Sequence, residues 1–158
     1  MQTYSGIITH LDTKDIFTFG SNLNGFHGAG SAGFATFGVS GNRWRDFNYQ
    51  SKPDGWRGLW TVKGHHEGLQ HGTHGWSYAL PTVTRPGAKR SRSVSQISAS
   101  IKQLYVVAER NPTWRFLIAF GTGHSLNGYS NQELADMFSH TTITSNIVFE
   151  INFSKLIT

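Results

Sequence analysis

Two glycine-rich stretches carry the residue types best suited to chemistry. The first is Phe19-Gly20-Ser21-Asn22-Leu23-Asn24-Gly25-Phe26-His27-Gly28-Ala29-Gly30. The second is Gly121-Thr122-Gly123-His124-Ser125-Leu126-Asn127-Gly128-Tyr129. Glycine brings a backbone close to a phosphate with no Cβ in the way. A helix that follows adds free N–H groups and the positive end of its dipole. Asn22 both donates and accepts, which suits a ribose diol or an amide edge. Donors from Gly123 to Ser125 suit a second phosphate. Each stretch also has a plain reading as a tight strand-to-helix turn, with Asn22 and Asn24 capping it or lying in left-handed conformations. Tyr129 either stacks on a ligand ring or packs under its loop. The two stretches together are more specific than either alone.

Three other groups of residues invite chemistry. His65, His66, His71 and His74 form a histidine-rich run. Neutral imidazoles bind zinc well, but the spacing fits no strong zinc template and Glu67 is the one acidic neighbour. They read as polar loop residues beside a pocket, and no metal site is assigned. Arg85, Lys89, Arg90 and Arg92 make a basic loop that either grips an anion or is simply solvated. Trp44, Trp56 and Trp60 either stack on bases or anchor an irregular loop to the core.

The elements between these groups set where they go. Ile16 to Phe19 is a short apolar run ending at Gly20, a buried strand by pattern. Ala29 to Phe37 has few breakers and reads as a short helix. Gly38 to Gly75 has no clear period and reads as an irregular excursion, with a possible strand over Arg57–Val62. Trp76 to Leu80 reads as a strand stopped by Pro81. Ile97, Ile101, Leu104, Tyr105 and Ala108 recur on one face of a helix over 94–110, capped by Ser93 or Ser95 and stopped by Asn111-Pro112. Trp114 to Phe120 is almost continuously apolar, the mark of a strand covered on both faces. Ser130-Asn131-Gln132-Glu133 is a capping-box pattern opening a helix with Leu134, Met137 and Phe138. Asn146 to Phe153 reads as a last strand. Strands alternating with helices predict an α/β fold, a three-layer α/β/α domain around one mixed sheet. Ligands in open α/β sheets sit beyond the carboxyl ends of strands, so both glycine loops are expected to line one cavity.

Composition bounds the rest. The 158 residues suffice for one domain, 1–158, with 38–75 as its irregular insert, and a chain of this size buries roughly 70% of its unfolded surface. The absence of cysteine excludes disulfides, Cys-based zinc sites and Cys nucleophiles. No apolar run approaches the ~20 residues of a membrane span, so no membrane partner is expected. Met1 to Ser5 lacks the basic start and apolar core of a signal peptide, and a cytoplasmic location is expected. Fourteen Lys and Arg against nine Asp and Glu leave a formal charge of +5, which favours an anionic partner.

Phe-Gly-Ser-Asn-Leu…His-Gly-Ala-Gly-Ser-Ala, then Gly68-Leu69-Gln70, then Ser77-Tyr78-Ala79-Leu80-Pro81-Thr82, then Gly-Thr-Gly…Asn-Gly-Tyr-Ser…Glu-Leu-Ala resembles the macrodomain superfamily. The likeness is to small phage and bacterial macrodomain-like proteins, and runs from about Ile16 to Phe153, missing mainly 38–63. The resemblance implies binding of ADP-ribose or a related nucleotide derived from NAD, linear or cyclic, with no cofactor. By position it implies that Asn22 meets the distal ribose, with Ser21 and His27 as further ligand-binding residues. It lays Gly28, Ala29 and Gly30 against the diphosphate and that ribose. Gly121, Gly123, His124, Ser125 and Asn127 belong to the loop that closes over the diphosphate. Tyr129 lines the ribose side, and Asp15 is the nearest acidic residue for adenine.

The chain departs from the hydrolytic branches of that superfamily. One branch places a lysine near the first loop and an aspartate after the second; here the strand ends Phe19-Gly20-Ser21 and the late position falls near Ser125. Another uses an aspartate by the glycine loop; here only His27 is near. The expected function is therefore a reader or sequestering sponge of an ADP-ribose-type signal, which in a phage would counter host defence inside the bacterial cytoplasm. The alternatives are an ADP-ribosyl hydrolase acting on modified protein or nucleic acid, and a nucleic-acid-binding module. Composition leaves the oligomeric state open.

Overall fold

The structure is a computed structural model that describes residues 1–26, 32, 35, 66–72, 75–120 and 127–157. The possible strand at 57–62, the tryptophans at 44, 56 and 60, His65 and His74 lie outside the described residues. So does most of the helix expected from Ala29 to Phe37. The elements in order are β1 (Thr3–Tyr4), β2 (Asp15–Asn22), β3 (Gly68–Gly72), β4 (Gly75–Val83), α1 (Val94–Arg110), β5 (Arg115–Ile118), α2 (Asn131–Ser139), β6 (Ile147–Glu150) and α3 (Ile151–Ser154). The fold is α/β. Six strands form one mixed sheet in the order β1-β6-β5-β2-β4-β3. β1, β6, β5, β2 and β4 run parallel, and β3 closes the β4 edge antiparallel.

The register follows from the period-2 alternation of each strand. Ile16, Tyr78, Leu80, Phe116, Ile118, Ile147 and Phe149 face one side of the sheet and pack with α1 and α2. Phe17, Phe19, Ala79, Leu117 and Val148 face the other side, where they cluster with Ile8 and with Ala32 and Ala35, both helical and buried. Central strands apolar on both faces need cover on both, which is why β2 and β5 read as unbroken apolar runs.

α1 forms as its apolar spacing predicts. Ile97, Ile101, Leu104, Tyr105 and Ala108 are all buried, and Ser93 caps the start. The Gln96 N–H donates to Ser93 Oγ at 3.1 Å, and the Ser93 N–H donates to Gln96 Oε1 at 2.9 Å, a reciprocal capping box. Ser130 and Glu133 repeat the device at α2, at 3.1 and 3.0 Å. The amide of Asn146 donates to the carbonyls of Ala108, Asn111 and Trp114, each at 3.0 Å. It thereby ties the end of α1 to the start of β6.

Besides β2 running past Gly20 to Asn22 and β5 ending at Ile118 and not at Phe120, three boundaries differ from the sequence expectation. β4 does not stop at Pro81 but runs to Val83, because the register slips between Ser21 and Asn22 and Pro81 sits at that irregularity. A proline tolerates such a place, where no ladder N–H is required of it. The last strand ends at Glu150 rather than Phe153. The Glu150 carboxylate accepts from the N–H groups of Asn152 and Phe153 at 2.7 and 3.0 Å, starting the short helix α3. Ile-Asn-Phe alternates like a strand, but Phe149 and Phe153 are both buried four residues apart, a helical spacing. Third, the range 38–75 read as irregular contains β3, which its glycines at 68 and 72 had hidden.

Candidate functional site

Because β4, β2 and β5 are adjacent and parallel, their carboxyl ends reach the same edge of the sheet. The two glycine stretches leave from the ends of β2 and β5, and their roots touch. The Ala119 N–H donates to the Thr18 carbonyl at 2.8 Å, extending the ladder past the last paired residues. A Cβ on Gly20 would lie 3.2 Å from Cε1 of Phe120 and 3.3 Å from Oγ1 of Thr82. The absent side chain at Gly20 is thus what lets the Phe120 ring lie on the sheet. Phe120, the residue before the second glycine loop, thus sits against β2.

The first loop turns back sharply after β2. Asn22 is buried, and its side chain grips the loop itself: Nδ2 donates to the Phe26 carbonyl at 2.8 Å while Oδ1 accepts from the Phe26 N–H at 3.1 Å. Gly25 has φ +71° and donates to the Asn22 carbonyl at 3.0 Å. The Leu23 N–H donates to the Val83 carbonyl at 3.2 Å, fastening this loop to the end of β4. Ser21 Oγ donates to the His66 carbonyl at 2.5 Å, which holds the segment before β3. One Asn22 amide hydrogen and one lone pair stay uncommitted by these bonds.

The second loop is described from Asn127 onward. Asn127 Oδ1 accepts from the Tyr129 N–H at 2.9 Å, and Gly128 between them has φ +86°. Tyr129 is buried and its hydroxyl donates to the Arg92 carbonyl at 2.5 Å, with the Arg90 guanidinium 4.5 Å above the ring. Of the two readings open for Tyr129, the geometry is that of packing under a loop. His27, Gly28, Ala29 and Gly30, and Gly121, Gly123, His124 and Ser125, lie outside the described residues.

A third loop joins these two, following β4 from Thr84 to Ser93. Pro86-Gly87 makes a turn in which the Ala88 N–H donates to the Arg85 carbonyl at 3.1 Å, with Gly87 at φ +77°. Ser91 Oγ accepts from the Thr84 N–H at 2.8 Å. The Arg90 N–H donates to the Asn127 carbonyl at 2.7 Å, so the basic loop is bonded to the stem of the second glycine loop. Arg90 also meets the Glu133 carboxylate with both terminal nitrogens, at 2.8 and 3.1 Å to Oε2. Arg92 donates to the Pro81 carbonyl at 2.6 Å and to Ser100 Oγ at 3.1 Å. Sequence reasoning left the role of this loop open. The missing signal was the strand order: a loop that follows a parallel neighbour of β2 must emerge beside the loop that follows β2.

Asp15 is placed elsewhere. It begins β2, where Oδ2 accepts from the Asp12 N–H at 3.0 Å and Oδ1 lies 3.4 Å from the Arg115 guanidinium. Seven strand steps, about 23 Å, separate it from Asn22. It therefore stands at the opposite end of β2 from the three loops, away from where a ligand on those loops would place its adenine.

Among the described residues of the three loops the polar side chains are Asn, Ser, Thr, Tyr and cations, with no histidine or carboxylate. Burial pulls the Arg92 guanidinium down from its ordinary value, partly countered by Glu67. Burial, then Glu67, push the Tyr78 phenol well above its ordinary value, so it stays protonated and is no base at neutral pH. No three His, Cys, Asp or Glu side chains come together among the described residues. No helix among them is long and apolar enough to cross a membrane. No protein-family model matches the chain, and no curated protein or solved structure does either.

Proposed function

We propose that the chain is a three-layer, macrodomain-like protein that binds ADP-ribose or another NAD-derived nucleotide, and that it holds the ligand as a reader or a sponge. The observation that carries this reading is the contact between the two loop roots, Gly20 against Phe120, at the carboxyl edge of adjacent central strands. That edge is where open α/β sheets take their ligands. Buried apolar faces on both sides of β2 and β5 support the three-layer arrangement. The basic third loop adds full cationic charge, which the glycine stretches lack.

Capture is favoured over cleavage by the side chains. A diphosphate needs only backbone donors and neutral amides, whereas hydrolysis needs a base or nucleophile at the ribose. Asn22 serves the ligand in this reading by shaping the first loop and by its uncommitted donor and acceptor.

The test is calorimetry with ADP-ribose and NAD, followed by chromatography of the ligand released on heat denaturation. Binding with recovery of intact ligand is expected. Asn22→Ala should weaken binding by ~1–3 kcal/mol, and Gly30→Val by more, both with circular dichroism evidence of folding. Unchanged affinity in both variants removes the site. Product formed in many-fold excess over protein, and lost in His27→Ala, makes the protein a hydrolase instead.

A further inference from the structure

Asn24 and Asn127 are the two asparagines that precede a glycine, and the fold treats them differently. An Asn–Gly pair can react with itself. The backbone nitrogen of the glycine bonds to Cγ of the asparagine and gives up its proton to water. The bond from Cγ to the side-chain nitrogen breaks, and that nitrogen takes up a proton and leaves as ammonia. Water then opens the cyclic imide at either carbonyl, leaving aspartate or isoaspartate. Nothing is oxidised or reduced, and water is the one co-reactant. Glycine favours the reaction because it has no Cβ to block the approach. The fold decides whether Cγ can reach the nitrogen.

Asn24 is exposed, and its carboxamide makes no hydrogen bond among the described residues. With Leu23, also exposed, it forms the centre of a turn closed by one backbone bond, from the Gly25 N–H to the Asn22 carbonyl at 3.0 Å. Gly25 is buried beneath this turn, so the reaction waits for that bond to open. A single turn bond at an exposed loop tip opens far more readily than a packed core. Asn127 is held much more firmly. It is buried, its carbonyl accepts from the Arg90 N–H at 2.7 Å, and its Oδ1 accepts from the Tyr129 N–H at 2.9 Å. Gly128 lies so close to the basic loop that a Cβ there would be 2.8 Å from the Lys89 Cβ and 3.3 Å from the Arg90 nitrogen. Moving Cγ of Asn127 onto the Gly128 nitrogen breaks the clasp between two loops. We propose that Asn24 is a self-modification site, converted to aspartate and isoaspartate with loss of ammonia, and that the fold protects Asn127 from the same reaction. Conversion puts a carboxylate at the tip of the first glycine loop and lowers the formal charge of +5 by one. Isoaspartate also threads the main chain through Cγ, which lengthens the turn that Asn22 closes on Gly25 and Phe26. The proposal stands independently of the nucleotide reading.

The experiment ages the whole chain in mildly alkaline buffer at body temperature, once folded and once in denaturant. Peptide mapping by mass spectrometry follows each asparagine, and released ammonia is counted. In the folded protein Asn24 should convert about tenfold faster than Asn127 or more, because Asn127 reacts only from locally opened chains. In denaturant the two should react alike, since glycine follows both. Asn24→Gln keeps the carboxamide but sets it one carbon farther from the Gly25 nitrogen. It should abolish the early ammonia release from folded protein and leave the melting temperature unchanged, since the Asn24 side chain is exposed and unbonded. Asn24 intact in folded protein while the denatured chain converts means that the turn protects it, and overturns the proposal. Equal conversion of Asn24 and Asn127 in folded protein overturns it as well, because the clasp then protects nothing. Early ammonia release that persists in Asn24→Gln assigns the reaction to another residue and overturns it too.

Discussion

Gly128 shows how a single residue holds the candidate site together. Its φ of +86° belongs to the left-handed region, and its missing Cβ leaves space for Lys89. Any side chain there meets both problems at once. Gly128→Ala is therefore expected to destabilise the fold by more than ~1 kcal/mol, and to loosen the Arg90–Asn127 bond that joins two loops. Denaturant midpoints measure the first effect. Faster hydrogen exchange at the Arg90 amide measures the second, and an unchanged rate would separate the glycine from the clasp. Asn22 is the other residue on which the candidate site turns. Its type marks it as a ligand contact or a cap, and its two bonds to Phe26 show that it caps. Both uses remain compatible, because a carboxamide has two donors and two lone pairs.

At the scale of elements, α2 fixes the second glycine loop and the basic loop together. Its inner face is anchored by Phe138, fully buried, whose ring meets Phe149 edge-on at 5.3 Å and Phe153 at 6.0 Å. Tyr105 on α1 donates its hydroxyl to the Phe138 carbonyl at 2.5 Å. Phe138→Ala should cost about 3–5 kcal/mol, the range for truncating a buried aromatic, read as a shifted denaturation midpoint. The outer end of α2 carries Glu133. The Ser130 N–H, and then the Ser130 hydroxyl and Arg90, hold its carboxyl below the ordinary carboxylate value. A pKa lower in the folded than in the unfolded state gives stability that is present above the unfolded value and lost as pH falls through the folded one. Glu133→Gln should therefore be less stable than wild type at neutral pH, with the gap closing as acid protonates the folded carboxyl. A gap that does not change with pH would place Glu133's contribution in its capping geometry rather than in its charge.

For the whole molecule the relevant quantity is the coupling between ligand and fold. A ligand that binds the folded chain alone stabilises it by about 2.7 kcal/mol at a hundred times its dissociation constant. In a domain of this size that raises the melting temperature by roughly 5–10 °C. ADP-ribose is expected to produce such a concentration-dependent rise, diminished by salt because the chain carries a formal charge of +5. A melting curve that ignores ADP-ribose at millimolar concentration would count against the nucleotide site.

Local pattern was enough for whatever depends on local pattern. The face of α1, its Ser93 cap and the capping box of α2 are written in spacings of three and four residues, and they formed where those spacings put them. The same holds for the apolar runs of β2 and β5, since a strand buried on both faces has no polar alternation to hide it. Local pattern failed where a distant partner decides the outcome. Pro81 stays in β4 because β2 slips its register beside it, and β3 exists because β4 supplies its ladder. Glu150 ends a strand by turning its carboxylate onto the next two amides, a choice that alternation alone cannot reveal. The site divides in the same way. Residue types and glycine spacing marked Asn22 and the Asn127–Tyr129 stem as candidates. Strand order alone brought the basic loop to their side, while the length of β2 puts Asp15 at its opposite end. Chemistry belongs to side chains and is visible in one dimension. Which side chains meet depends on how parallel strands are ordered, and that ordering is settled by packing between residues a hundred positions apart.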